Sequence, residues 1–150
     1  MAQVNAWILD MGGVHQAAIS ERELFHVLYE PRFHRLPRTQ AHCDRLIEWE
    51  GLLLPVWDLR RWVHTADEPD RIRFVAVVGY TGDDGQTGFG GIALGAPPVR
   101  IMADDADACL LPDDAPRWQE IAAACFARGG VRVPVLDLAR MFLQPVRTVQ

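Results

Sequence analysis

The chain contains no lysine: its 15 basic residues are all arginine, and 20 carboxylates outnumber them for a net charge of −5. That balance argues against nonspecific nucleic-acid binding, which calls for a basic face. Serine occurs once, at Ser20, and no Gly-x-Ser-x-Gly elbow exists, so nothing prepares a serine nucleophile. Cys43, Cys109 and Cys125 are widely spaced with no Cys-x-x-Cys. This spacing predicts reduced, mostly buried thiols rather than a disulfide framework. The longest apolar runs fall far short of the ~18 residues of a membrane span. The opening MAQVNAWILD lacks the basic start and apolar block of a signal peptide. The expectation is a cytoplasmic protein with no membrane insertion.

Candidate cofactor and metal patterns are equally incomplete. His26, His34 and His42 are spaced by eight, which fits neither a helical pair nor a zinc finger, although Cys43 and Asp44 are adjacent. Five Asp between 104 and 114 lack the glycine and distal glutamate of a calcium loop. Gly88, Gly90 and Gly91 suggest a phosphate cradle, but no Gly-Lys-Ser/Thr follows, and a flexible hairpin tip is expected instead. No cofactor, metal or catalytic residue is expected.

What the chain does have is a segment that occurs twice. Residues 51–63 read GLLLPVWDLRRWV and residues 130–142 read GVRVPVLDLARMF, sharing Gly51/Gly130, Pro55/Pro134, Val56/Val135, Asp58/Asp137, Leu59/Leu138 and Arg61/Arg140. An internal repeat of this kind marks one supersecondary unit used twice. The unit reads as an extended run followed by a helical turn. Pro55 and Pro134 cannot donate to a ladder and are expected on an edge or at a strand end. Asp58 and Asp137 are expected to cap the turn that follows. Their identical contexts argue for a repeated structural role over a catalytic carboxylate pair, whose members need unlike environments.

In chain order, 4–10 and 14–19 predict a hairpin around Met11-Gly12-Gly13. Ser20 to Glu23 is a capping box, and Leu24, Val27 and Leu28 follow at helical spacing up to Pro31, predicting a short helix. Residues 31–44 predict loop, and 46–49 a strand turning at Gly51 into the first repeat. The polar stretch 64–70 is the expected division between two halves of a single 1–150 domain. Residues 72–80, 89–94 and 99–102 predict strands. For 120–127 the local spacing favours a helix, but alignment of the repeats places it on the strand at 46–49. Tertiary context overrides propensity, and strand is expected.

The pattern resembles the CheW-like family of chemosensory adaptor domains. It is carried by the 19–28 region, Arg35-Leu36-Pro37, GLLLPVWDLRRWV, Phe89-Gly90-Gly91-Ile92 and VRVPVLDLARMF. The resemblance implies an all-β fold of two small five-stranded barrels of the Src-homology-3-like kind, sharing a core, with short helices. It implies a non-catalytic scaffold joining the cytoplasmic tip of a methyl-accepting chemoreceptor to the regulatory domain of a CheA-type histidine kinase. One barrel would meet the kinase, and the groove between barrels the receptor tip.

It also implies partner contacts at His26, Val27, Arg45, Leu46, Glu48, Glu50 and Gly51, and structural roles for Pro55, Asp58, Pro134 and Asp137. Where the family has Asn-Leu-Arg-Gly, this chain has Glu48-Trp49-Glu50-Gly51, replacing the usual positive charge by Glu50. His26 stands for a glutamate, Arg45 for a glycine, and Leu94-Gly95 for a Val-Asp pair. These departures suggest a diverged member with a specialised partner, such as one of a pilus-motility (twitching) pathway. From other classes, a β-barrel sensor would need an apolar pocket with convergent polar groups. An enzyme would need clustered side chains of perturbed pKa.

Overall fold

The structure is a computed structural model that describes residues 3–12, 15–37, 39–64, 72–113 and 115–143. Among these residues, eleven strands form two sheets. They are β1 (Gln3–Asp10), β2 (Gln16–Ser20), β3 (Leu24–Tyr29), β4 (His34–Arg35), β5 (Arg45–Trp49), β6 (Leu52–Trp57), β7 (Phe74–Thr81), β8 (Thr87–Leu94), β9 (Val99–Asp104), β10 (Ala122–Arg128) and β11 (Val131–Leu136). Among the described residues, short helices α1 (Leu59–His64) and α2 (Leu138–Phe142) follow β6 and β11.

The larger sheet has six strands in the order β3-β7-β8-β6-β5-β4. A flat sheet of that size would hold its outer strands about 24 Å apart. Residues 30–33 join those same strands, and Tyr29 to His34 can reach only about 17 Å fully extended, so the sheet has to curl. The smaller sheet, β10-β11-β2-β1-β9, closes differently. Beyond β9 the chain makes one 3-10 turn (Asp105–Asp107), and Ala108 then bridges Phe126 on β10 at the opposite edge.

Each curled sheet holds its own core. Ile47, Leu54, Val56, Val75, Val77 and Ala93 fill the larger one, and Ile8, Ala18, Phe126 and Val133 the smaller. A third and largest cluster lies between them, built from both sheets and both helices: Leu9, Ile19, Trp57, Leu59, Trp62, Ile92, Trp118, Ile121, Leu138 and Met141. This is the expected all-β fold, with a two-residue sixth strand added to one sheet.

The repeat is structural as well as sequential. The Asp58 N–H donates to His42 O and the Asp137 N–H to Ile121 O, both at 2.8 Å. Trp62 N–H donates to Asp58 O at 3.2 Å and Met141 N–H to Asp137 O at 3.1 Å. The Asp137 carboxylate caps α2 by accepting from the Arg140 N–H at 3.1 Å. Arg61 Nε lies 3.8 Å from Asp58 and Arg140 Nε 3.8 Å from Asp137. Both β6 and β11 lie inside their sheets, which corrects the expectation that the prolines mark an edge or a strand end. Each strand meets its second, parallel neighbour only from the residue after proline onward, beginning with the pairs Val56↔Gly91 and Val135↔Ala18. The missing N–H therefore falls just before that side of the ladder begins.

Three further expectations change. Residues 24–28 are strand, not helix: β3 pairs along β7 from Leu24↔Val78 to Tyr29↔Phe74. In the capping box, Glu23 accepts from the Ser20 N–H at 2.8 Å, but it serves a single 3-10 turn (Glu21–Glu23). The β-branched and aromatic run LFHVLY then finds a partner strand. Gly88, Gly90 and Gly91 are not a hairpin tip but lie within β8. Gly88 and Gly90 make room for rings: a Cβ on Gly88 would stand 2.5 Å from Tyr80, and one on Gly90 would collide with Phe142. Finally, the chain leaves the smaller sheet after β2 and returns at β9, so sheet membership changes near 21–23 and 95–98 rather than at 64–70. Residues 65–70 of that linker, and Gly13 and Val14 of the first turn, lie outside the described residues. For 116–128 the outcome is a 3-10 turn (Pro116–Glu120) followed by strand β10, in keeping with the repeat.

Candidate partner-binding surface

Five of the expected contact residues sit on one hairpin. Strands β5 and β6 pair from Arg45↔Val56 to Trp49↔Leu52, leaving Glu50-Gly51 as a two-residue turn. Both carry positive φ, 52° and 76°, the pattern of a type I′ turn that matches the twist of the strands. The second repeat turns identically at Gly129 and Gly130, with φ of 57° and 78°. Glycine takes this region freely and glutamate does not, so Glu50 is held in a strained conformation that its counterpart avoids.

Alternation sorts the hairpin into two faces. Ile47 and Leu54 point into the barrel. Leu46, Glu48, Leu53 and Pro55 share the other face, as the cross-strand pairs Leu46↔Pro55 and Glu48↔Leu53. Leu53 is 60% exposed and Leu52 45%. Glu48 is exposed too, 3.7 Å from His34 on β4. The outer face thus offers leucine and proline surface beside two carboxylates, Glu48 and, at the tip, Glu50. Such a face suits a partner with both apolar and basic groups.

His26 and Val27 lie on β3, at the opposite end of the strand order from β5. Curling brings the two strands back toward each other through aromatic rings. Phe89 on β8 lies 5.1 Å from Phe25 on β3 and 5.2 Å from Trp49 on β5. His26 is exposed and Val27 half-buried. Arg45 is different. It is only 8% exposed, 3.8 Å from Asp44 and 5.4 Å above the Phe33 ring. Desolvation lowers its pKa. Arg45 is an internal cation and offers a partner little surface.

Sequence reasoning passed over Phe25, Tyr29, Leu52 and Leu53, all at least 45% exposed. Reading 24–28 as a helix hid the first two. The strand character of LFHVLY was the available signal.

The fold and this surface permit a comparison with known proteins. Among solved structures, the chain is similar to the scaffolding protein TtCheW from Thermoanaerobacter tengcongensis, with a TM-score of 0.70 over 92% of this chain and 86% of that one. The fold is that of a CheW scaffold. Identity over the match is 12%. No family model matches the chain, and no curated protein matches it in sequence. No helix among the described residues is long and apolar enough to cross a membrane. Among the same residues no group of His, Cys, Asp and Glu is arranged to hold a metal ion.

With the CheW fold in place, two other features of the surface become readable. At the junction of the sheets, His42 packs 4.7 Å from Trp57 and 4.6 Å from Trp62, while the Arg117 guanidinium lies 3.4 Å over the Trp62 ring. Burial, with Arg117 adding to it, lowers the His42 pKa to about 4, so the ring is neutral. A groove of about 450 Å³ runs beside β11 between His15, Trp118, Arg132 and Asp113. It lies on the surface of the smaller barrel, whose interior is filled by side chains.

Proposed function

We propose that the protein is a non-catalytic adaptor of bacterial chemosensory signalling, coupling the cytoplasmic tip of a methyl-accepting chemoreceptor to the regulatory domain of a CheA-type histidine kinase in the cytoplasm. One observation carries this reading: the whole-chain likeness to a scaffolding protein of CheW fold. The repeated aspartates support it, because Asp58 and Asp137 share matching backbone bonds and lie far from being an acid/base pair. A ligand-binding sensor has less support, since both barrel interiors are packed with buried side chains.

The acidic tip favours a specialised partner over a general one. Glu48 and Glu50 stand where the family's receptor-contacting arginine segment is expected, and like charges across an interface cost several kcal/mol. A partner with a basic contact, such as one of a pilus-motility pathway, fits this face. The test is binding of the purified protein to its own organism's kinase regulatory domains and receptor tips. Binding to at least one kinase domain is expected, together with loss of the preferred receptor on Glu50→Arg. Failure to bind any of them would sink the adaptor reading, and receptor binding unaffected by Glu50→Arg would sink the charge argument.

A further inference from the structure

Two cysteines far apart in sequence meet at the seam of the smaller barrel. The seam is the bridge Ala108↔Phe126, and its antiparallel register sets Cys109 directly opposite Cys125. The Cys109 N–H donates to Cys125 O at 3.0 Å, and the Cys109 thiol donates to the Cys125 sulfur at 3.3 Å. Residues facing each other in this way have Cα atoms about 5.5 Å apart, within the ~4.4–6.8 Å that a disulfide spans. Both thiols are free. Neither belongs to the hairpin surface described above.

We propose that Cys109 and Cys125 are a redox site: they close reversibly into a disulfide that staples the barrel seam. The two sulfurs have different roles. Cys109 is half-buried and Cys125 buried. Burial first, and the hydrogen bond from Cys109 second, push the Cys125 thiol up, so Cys109 is the sulfur that reacts first. With a low-molecular-weight disulfide as oxidant, the Cys109 thiolate attacks one sulfur and expels one small thiol, leaving a mixed disulfide. Cys125 then gives up its proton, attacks the Cys109 sulfur and expels the second small thiol. The protein loses two hydrogens and the oxidant is reduced to two thiols.

The staple would close the loop from 110 to 124, which includes Pro112, Asp113 and Trp118 on one side of the groove beside Arg132. Closing a loop of about 15 residues stabilises the folded chain appreciably. A rise in Tm of roughly 5–10 °C is expected for a chain of this size. Cys43, the third thiol, is buried in the central core and stays reduced.

The test uses the full chain in buffers of reduced and oxidised glutathione. Free thiols are trapped with a maleimide and counted by intact mass, and the linkage is mapped by peptide mass. The expected result is joint loss of two thiols, a Cys109–Cys125 cross-link, the higher Tm, and recovery of both thiols with dithiothreitol. Cys109→Ser should abolish all of it; should Cys125→Ala not fold, the wild-type linkage map and Cys109→Ser decide alone. A stable glutathione adduct on Cys109 without closure, a link to Cys43, or no loss of thiols across the range would each overturn the proposal.

Discussion

Glu50 occupies a position that the second repeat gives to Gly129. Its φ of 52° lies in the left-handed region, which costs a residue bearing a Cβ about 1–2 kcal/mol. Asparagine tolerates that region, and unlike glycine it adds little freedom to the unfolded chain. Glu50→Asn should therefore stabilise the protein by roughly 0.5–1 kcal/mol. With a urea m-value of about 1–3 kcal/mol per molar, the unfolding midpoint should rise by roughly 0.2–1 M. Gly129→Glu is the reciprocal experiment. A Cβ there meets no atom within 4 Å, so the expected fall of similar size reports backbone strain alone.

Binding gives the second half of the prediction. Removing the carboxylate from the hairpin tip should slow association with the partner and flatten its salt dependence, as loss of a rim charge does. Stability gained together with binding lost would identify Glu50 as a residue kept for its contact. Destabilisation by Glu50→Asn would refute the strain argument. A stabilised variant with unchanged association would leave Glu50 without a role in binding and refute that part.

Two other outcomes follow from the packing. Gly90→Ala places a methyl group into the Phe142 ring, which is stacked on Tyr80 at 5.6 Å, and should cost about 1–3 kcal/mol. Adding Phe142→Leu should recover part of this in thermal melts; strict additivity would contradict the contact. His42 concerns acid stability. Its folded pKa of about 4 lies below the usual 6.5, so the unfolded chain takes up the proton first and stability falls as pH drops from about 6.5 toward 4. Allowing for solvent screening of a half-buried ring, the loss between pH 7 and 5 should be about 1 kcal/mol. His42→Leu should flatten urea midpoints over that range. The second repeat already places an apolar residue there, Ile121. An unchanged slope would reject the assignment.

Much of the fold was legible because the repeat encodes local tasks. Aspartate before a helical turn and glycine in a tight turn are each specified within a few residues, whereas the interior place of the two prolines was not. The strand at 122–128 could be read only by setting the repeat above local periodicity, which fits a helix. The opposite error occurred at Leu24, where a genuine capping box serves one 3-10 turn and pairing with β7 decides the rest. The candidate surface was half legible. Glu48, Glu50 and Gly51 were singled out through the family resemblance. The burial of Arg45 over Phe33, and the meeting of Phe25 with Phe89 and Trp49, are products of curling that no short window contains. The Cys109–Cys125 contact is of the same kind, created where one sheet edge reaches the other.

The routing of the chain also sets an order of assembly during synthesis. The larger barrel is one continuous stretch, from β3 to β8, and can form as soon as it emerges. The first hairpin has no such option: β1 waits for β9 and Ala18 waits for Val135. At about 5–20 residues per second, roughly 4–17 s separate the completion of β2 from that of β9. Throughout that interval Leu9, Ala17 and Ile19 lack the strands that complete their sheet. The barrel that carries the candidate surface is thus born first, and its neighbour is completed by joining the two ends of the chain around it.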